Sequence, residues 1–142
     1  MATYDPKYVT ASFKGVILGD FAADTFIKVT RDGDDFEQKQ GAAGYDEFTN
    51  KNINMHIIEF TCMQTSSINA VLSAILAQDR IDNLGEGAFL LKDVGPNGTT
   101  LVSISSARIT KPAEADMGGS TKERTWTLRG GKAGDYVIGG NS

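Results

Sequence analysis

Residues 53–80, INMHIIEFTCMQTSSINAVLSAILAQDR, join a strand-like run to a helical pattern that no other part of the chain repeats. From position 68 the apolar residues recur at i, i+3, i+4, i+7 and i+8, which gathers them into one stripe of a helix. Hydroxyl side chains at positions 65–67 stand where either serine can cap the first turn. The pattern predicts a helix over about residues 66–80, whose core against a sheet consists of Ile68, Val71, Leu72, Ile75 and Leu76.

The run before the helix, Ile53–Met63, has β-branched, aromatic and sulfur-containing side chains on both parities, which is typical of a strand covered on both faces. It contains the single histidine and the single cysteine, His56 and Cys62. A lone cysteine cannot form an internal disulfide, and its apolar neighbours predict a buried thiol. Six positions along a strand span about 20 Å, too far to share a metal, so His56 is predicted to be structural.

The segment from Asp32 to Asn50 predicts a protruding β-hairpin, because it is polar, acidic at its start and glycine-containing at its centre. Its arms are predicted at Phe36–Gln40 and Tyr45–Thr49, with Gly41–Gly44 at the tip. The arms carry Phe36, Tyr45 and Phe48 but are too polar to form a core of their own. Since an isolated hairpin is marginally stable, we expect contacts with another subunit to order it.

The remaining apolar runs predict further strands, so the fold class is mainly β, a β-sandwich or partly closed barrel with one flanking helix. The whole chain, residues 1–142, is expected to form one domain. In the run Thr99–Thr110, the residues Leu101, Ala107 and Ile109 share a parity and are predicted to share a face. The other predicted strands are Tyr8–Leu18 with a break at Gly15, Thr25–Thr30, Ala88–Lys92, Thr121–Leu128 with Trp126 and Leu128 together, and Tyr136–Ile138.

Composition and motifs argue against several function classes. A net charge of −4 and a pI near 4.9 argue against conventional nucleic-acid binding, which needs clustered lysine and arginine side chains. The sequence lacks a signal peptide and a membrane-length apolar run, so a cytosolic protein without a membrane partner is expected. A G-x-S-x-G elbow is missing, and residues 130–132 do not complete a phosphate loop. We therefore predict no enzyme and no cofactor or metal, although two carboxylates meeting in a cleft remain open.

The segment Gln64–Ser73, QTSSINAVLS, resembles the tail tube proteins of tailed bacteriophages, particularly the family of contractile tails. In that family a strand ending in Gln-Thr-Ser leads into the only helix, which carries an Asn and then Leu-Ser, as Asn69, Leu72 and Ser73 do here. The hairpin tip departs from the family pattern, since Ala42 and Ala43 stand where Gly-x-Asp-Gly is expected. The resemblance spans nearly the whole chain through Gly15-Val16, Gly19-Asp20-Phe21, Gly41 to Gly44, Ala107-Arg108-Ile109, Pro112, Trp126 and the terminal Gly-Gly-Asn.

This resemblance implies a structural virion protein that forms hexameric rings, which stack into the tail tube through which DNA is ejected. The implied partners are other copies of the chain, the tail sheath, the baseplate and the tail terminator, with DNA as transient cargo. The implied location is the virion tail, after assembly in the host cytoplasm. Phe36, Tyr45 and Phe48 then become candidates for contacts between rings, and an acidic balance suits a lumen that repels phosphate.

Two kinds of alternative stay open from the sequence. One is the same tube architecture in a phage-derived bacteriocin or in a type VI secretion-like system, which the residues cannot separate from a phage tail. The other is a small β-sandwich enzyme or ligand-binding module, for which a monomer with a deep pocket lined by carboxylates would be the evidence.

Overall fold

A computed structural model of the chain describes residues 5–18, 27–52, 55–93, 95, 98–131 and 133–139. The segment Gly19–Phe21, the first residues of the Thr25–Thr30 and Ile53–Met63 runs, and the Gly140 and Asn141 of the terminal Gly-Gly-Asn lie outside these residues. The described elements are a 3-10 turn at Pro6–Tyr8, β1 (Val9–Phe13), β2 (Val16–Leu18), β3 (Ile27–Arg31), β4 (Phe36–Gln40), β5 (Asp46–Asn50), β6 (His56–Met63), α1 (Ile68–Asp82), β7 (Gly87–Asp93), β8 (Leu101–Lys111), β9 (Glu123–Gly130) and β10 (Ala133–Val137).

Eight strands form one antiparallel sheet in the order β2-β1-β7-β8-β9-β6-β3, with β10 also beside β8. The long strand β8 pairs with β7 along one edge. Along its other edge it pairs with β10 over residues 101–104 and with β9 over residues 107–111. The sheet therefore divides at the connection between β9 and β10 into two wings that share β8. One wing contains β2, β1, β7 and β10, and the other contains β9, β6 and β3. The prediction of a mainly β fold with one helix is confirmed.

The two wings approach each other again at their free edges, β3 and β10. The Tyr136 hydroxyl of β10 donates to the Val29 carbonyl of β3 at 3.2 Å. Beside it, His56 Nδ1 donates to the Gly131 carbonyl at 2.8 Å, and the His56 and Tyr136 rings lie 5.4 Å apart. No backbone ladder joins β3 to β10 within the described residues. The sheet is thus strongly curled but does not close into a barrel.

One cluster of buried apolar side chains fills the space between the wings and the helix. In β6 burial alternates strictly, with His56, Ile58, Phe60 and Cys62 inside and the intervening residues partly or fully exposed. The prediction that this strand is covered on both faces is therefore wrong, whereas the buried Cys62 is confirmed. The cluster consists of Ala11, Phe13, Leu18, Ile58, Phe60, Cys62, Leu72, Leu76, Phe89, Val102, Ile104, Ala107, Ile109, Trp126 and Leu128.

The predicted face of β8 is wrong for Leu101, because the strand contains a bulge. Its buried residues are Val102 and Ile104 and then Ala107 and Ile109, so the parity of burial changes along the strand. Gly87 of β7 pairs with Ala107 of β8, and Phe89 pairs with Ile104. An advance of two residues along β7 therefore corresponds to three residues along β8. The extra residue in β8 flips every later side chain to the opposite face.

The helix α1 presents most of the predicted stripe to the core. Leu72 and Leu76 are buried, and Ile68 and Ile75 are partly buried against the cluster. Val71 is 37% exposed, which corrects its assignment to the helix–sheet core. Because successive residues are about 100° apart around a helix, the residue preceding Leu72 falls at the border of a stripe centred on Leu72 and Leu76.

Candidate assembly surfaces

The predicted hairpin is present as a separate two-stranded sheet of β4 and β5. Every residue from 33 to 50 is exposed. In the register of the arms, Phe36 faces Asn50 and Gln38 faces Phe48, so the two phenylalanines lie on the same side. We call this side the aromatic face of the hairpin, and its Phe36 and Phe48 are 58% and 67% exposed.

The opposite side of the hairpin, the charged face, carries Glu37 and Lys39 on β4 and Glu47 and Thr49 on β5. Tyr45 stands at the tip just before β5, is 78% exposed, and accepts a backbone hydrogen bond from Gly41 at 2.8 Å. The predicted inter-ring residues are therefore all exposed on one element, although Tyr45 is not part of the ladder.

The base of the hairpin, unlike its arms, is tied to the main sheet. The backbone carbonyl of Asp35 accepts a hydrogen bond from the Lys51 amide at 2.9 Å. The Asp35 side-chain carboxylate forms an ion pair with Arg31 of β3 at 2.5 Å. The Asp32 carboxylate forms an ion pair with Arg129 of β9 at 3.2 Å. These contacts fix the point at which the hairpin leaves the body.

A second exposed apolar surface lies on the solvent side of α1. Ala70, Ala74, Ala77 and Ile81 are all exposed and recur at i, i+4, i+7 and i+11, which aligns them opposite Leu72. We call these four residues the outer stripe. Ile81 is 78% exposed, and Leu84 just beyond the helix is 70% exposed. The sequence shows the small residues of this side, but Ile81 lies past the predicted helix end and was missed.

Hydrogen bonds hold the end of the helix so that Leu84 stays exposed. The Leu84 amide donates to Asp82 Oδ1 at 2.9 Å, and Lys14 Nζ donates to the Leu84 carbonyl at 2.7 Å. Gln78 Nε2 donates to the other carboxylate oxygen at 2.6 Å. The Gln78 amide, followed by the Leu84 amide, keeps the pKa of Asp82 below its ordinary value, so this carboxylate is ionised at neutral pH.

A buried carboxylate, Asp79, connects the same helix end to the sheet. Its Oδ1 accepts from the Gly85 amide at 3.1 Å, and its Oδ2 lies 3.2 Å from Arg108 Nε of β8. The latter contact is an ion pair only, because its angle does not make a hydrogen bond. Arg108 Nη2 donates to the Asn83 carbonyl at 3.0 Å. The helix end is therefore rigidly attached through polar rather than apolar contacts.

At the start of the helix, Asn69 joins three elements. Its Oδ1 accepts from Trp126 Nε1 of β9 at 3.0 Å and from the Cys62 thiol of β6 at 3.2 Å. The sequence singled out Asn69 only through the family resemblance. Its Nδ2 donates at 3.1–3.3 Å to three backbone carbonyls of the strand-to-helix connection, those of Met63, Gln64 and Ser66.

Four acidic residues and Lys111 line a shallow cleft on the exposed face of β6 and β9; the acidic residues are Glu59, Glu114, Asp116 and Glu123. Asp116 is already bound to the buried guanidinium of Arg124 at 2.6 Å. Over the described part of the chain, no group of three or more histidine, cysteine or acidic residues is placed to hold a metal ion. Among the residues that the structure describes, no helix is long and apolar enough to cross a membrane.

No family model matches the sequence, and no curated protein matches it. Solved structures do match. A chain of the anti-feeding prophage cap, described as the AFP tube terminating cap, superposes with TM-score 0.63 at 11% identity, covering 96% of this chain and 95% of that chain. This chain shares its fold.

Two further matches come from an extracellular contractile injection system, PVC, in its extended state. A chain of the sheath/tube terminator structure gives TM-score 0.59 at 10% identity, covering 94% of this chain and 96% of that chain. A chain of the sheath-tube complex gives TM-score 0.59 at 11% identity, covering 93% and 91%. The fold is therefore one found in contractile assemblies, in agreement with the contractile-tail resemblance of the sequence.

Proposed function

We propose that this chain is a structural protein of a contractile tail or tail-like particle, in which hexameric rings stack to form the tube. The observation that carries the proposal is the fold match over nearly the full length of both chains to the AFP tube terminating cap.

The exposed aromatic residues support an assembly role over that of a free monomer. Phe36, Tyr45 and Phe48 lie on a hairpin whose residues are all exposed on their own chain. Burying each of them against a neighbouring ring would contribute about 1–3 kcal/mol. Six such contacts formed together between two rings would make stacking strong and cooperative through effective concentration.

The proposed partners are further copies of this chain, the sheath, the baseplate and the tail terminator, with DNA as transient cargo when the particle is a phage. The proposed location is the virion tail, assembled in the host cytoplasm. A bacteriocin or type VI secretion-like tube would use the same architecture with a different cargo, and genome neighbourhood separates these cases. The proposal assigns the chain no catalysis and no cofactor.

A terminator role is a second candidate, because two of the matched structures are described as a tube terminating cap and a sheath/tube terminator. A tube subunit and a terminator differ in how far they polymerise. A tube subunit adds ring upon ring, whereas a terminator stops after a ring that caps the tube.

Electron microscopy of the purified protein over a range of concentrations, together with sedimentation, tests both candidates. Stacked tubes support the tube role, and isolated rings that never stack support the terminator role. A protein that sediments only as a monomer at all concentrations, with micrographs empty of rings, overturns both. A monomer that binds a small molecule in the carboxylate cleft would instead favour the ligand-binding alternative.

A further inference from the structure

The helix α1 is apolar on two opposite sides, and only one of them is covered. Leu72 and Leu76 face the core, while the outer stripe of Ala70, Ala74, Ala77 and Ile81 faces solvent. An amphipathic surface helix normally places polar residues on its solvent side, and a helix that is apolar all round is normally buried all round. The outer stripe therefore has the character of a surface that is covered in the assembled state.

We infer that the outer stripe, together with Leu84, receives the aromatic face of the hairpin from a second copy of this chain. The inference rests on the proposed function and adds to it the receiving surface. Both surfaces are exposed on the same protein: the aromatic face presents Phe36 and Phe48 among polar side chains, and the outer stripe is apolar. They do not contact each other within one chain, because all residues of both surfaces remain exposed there.

The two surfaces fit in size and shape. The hairpin arms of five residues each are about 17 Å long, and the helix of 15 residues is about 22 Å long. Alanine side chains along the stripe are short enough to let the hairpin approach the helix closely. Ile81 and Leu84 then extend the apolar surface beyond the alanines at the end of the stripe.

The charges bordering the two surfaces are also complementary. Asp46 lies on the aromatic face of the hairpin, two residues from Phe48 on β5. Arg80 borders the outer stripe, is exposed, and forms no ion pair within the residues that the structure describes. Pairing these groups favours one orientation of the hairpin on the helix, with its tip towards the end of the helix.

A contact of hairpin to helix uses different surfaces on its two partners, so each bound pair keeps one free hairpin and one free helix. Such a heterologous contact propagates into rings or helical stacks, whereas a hairpin-to-hairpin contact would close a dimer. The contact is small, because an aromatic side chain buries at most about 150–250 Å² and a stable interface needs about 800 Å² on each partner. A covalent trap is therefore the appropriate test.

Disulfide trapping with two single variants, Phe48→Cys and Ala74→Cys, tests the inference in the full chain. The natural Cys62 is fully buried and gives no background. Under mild oxidation at the highest soluble concentration, we expect a disulfide-linked dimer when the two variants are mixed and none when either is oxidised alone. Thr49→Cys is the matched control, since its side chain lies one residue away on the charged face and should not link to Ala74→Cys.

Other outcomes overturn the inference. A dimer of Phe48→Cys alone indicates a hairpin-to-hairpin contact, and a dimer of Ala74→Cys alone indicates a helix-to-helix contact. If the mixture does not link while the wild-type protein forms tubes, the receiving surface is wrong and the proposed function stands. If the mixture does not link and the wild-type protein forms no rings, both fail.

Discussion

The amide of Asn69 shows how one side chain can join the helix to the sheet. Replacing Asn69 with Ala leaves the buried Trp126 N–H without its acceptor, which costs about 1–3 kcal/mol for each buried polar group left unpaired. Trp126→Phe removes that donor, so we expect it to relieve part of the loss caused by Asn69→Ala. A double-mutant cycle by chemical denaturation should give a coupling of about 0.5–3 kcal/mol. Additive losses would contradict a direct interaction.

The buried stripe of the helix gives a second residue-scale prediction. Leu72 is fully buried, so Leu72→Ala should lower the free energy of unfolding by about 2–5 kcal/mol through lost transfer energy and a cavity. Ser73→Ala is the adjacent control and should be nearly neutral, because Ser73 is exposed. Val71→Ala should also cost little. Equal losses for Leu72→Ala and Val71→Ala would show that the helix is rotated relative to the structure.

At this scale the sequence predicts periodic apolar residues well and buried charges poorly. Leu72 and Leu76 follow from spacing alone, whereas Val71 lies at the border of the stripe, where spacing cannot decide. Asp79 and Arg124 are buried because of partners at Arg108 and Asp116. The sequence gives no signal for such pairs, since the partner is brought close only by the folded sheet or an irregular loop.

The attachment of the helix end gives an element-scale prediction. A Cβ added at Gly85 would lie 2.4 Å from the Asp79 side chain, so Gly85→Ala should disrupt the buried Asp79–Arg108 pair and lower the melting temperature. Gly131→Ala is the matched control, because a Cβ there meets nothing within 4 Å. Thermal unfolding of both variants tests this, and equal melting temperatures would show that the helix end adapts without cost.

The hairpin gives the second element-scale prediction. Asp35 and Lys51 already meet through a 2.9 Å backbone hydrogen bond, so residues 36–50 can be replaced by two glycines without moving the base. We expect this deletion to keep the melting temperature within a few degrees of wild type, since the arms contribute no residue to the core, and to abolish tube elongation in micrographs. Tubes of normal length from the deleted protein would remove the hairpin from the assembly mechanism.

Elements set by local turns were predictable, and those set by distant pairing were not. The hairpin arms fall within one residue of their predicted bounds, because the glycine-containing tip and the polar arms are local features. The break at Gly15 is likewise a tight turn with positive φ at Lys14 and Gly15. The bulge in β8 arises from its register with β7 and has no local signal, which is why the face of Leu101 was mispredicted.

For the whole molecule, composition and element count give the class but not the arrangement. A mainly β chain with one helix follows from the apolar periodicities. The division into two wings on β8 does not follow, because strand order depends on pairings between distant segments such as β6 with β9. The two candidate surfaces differ in the same respect. The hairpin follows from its local sequence pattern, whereas the outer stripe depends on the extension of the helix to Asp82.

The net charge of −4 leads to a prediction for the assembled protein. Protein–DNA affinity arises largely from release of counterions by clustered cations, and it strengthens steeply as salt falls. Under the proposed function, an acidic tube offers few such clusters, so its wall should repel DNA in the lumen. We expect no duplex DNA to co-sediment with tubes of this protein at physiological salt. Lowering the salt concentration should not increase the amount of DNA that co-sediments.

The acidic cleft allows a control for this DNA prediction. Replacing Glu59 and Glu123 with lysine converts the exposed face of β6 and β9 from acidic to basic while leaving the core untouched. If this face lines the lumen, the variant tubes should retain short DNA with a strong salt dependence, and the wild-type tubes should not. If wild-type tubes bind DNA and release it only as salt rises, electrostatic repulsion is not what keeps the conduit clear, and the acidic balance needs another explanation.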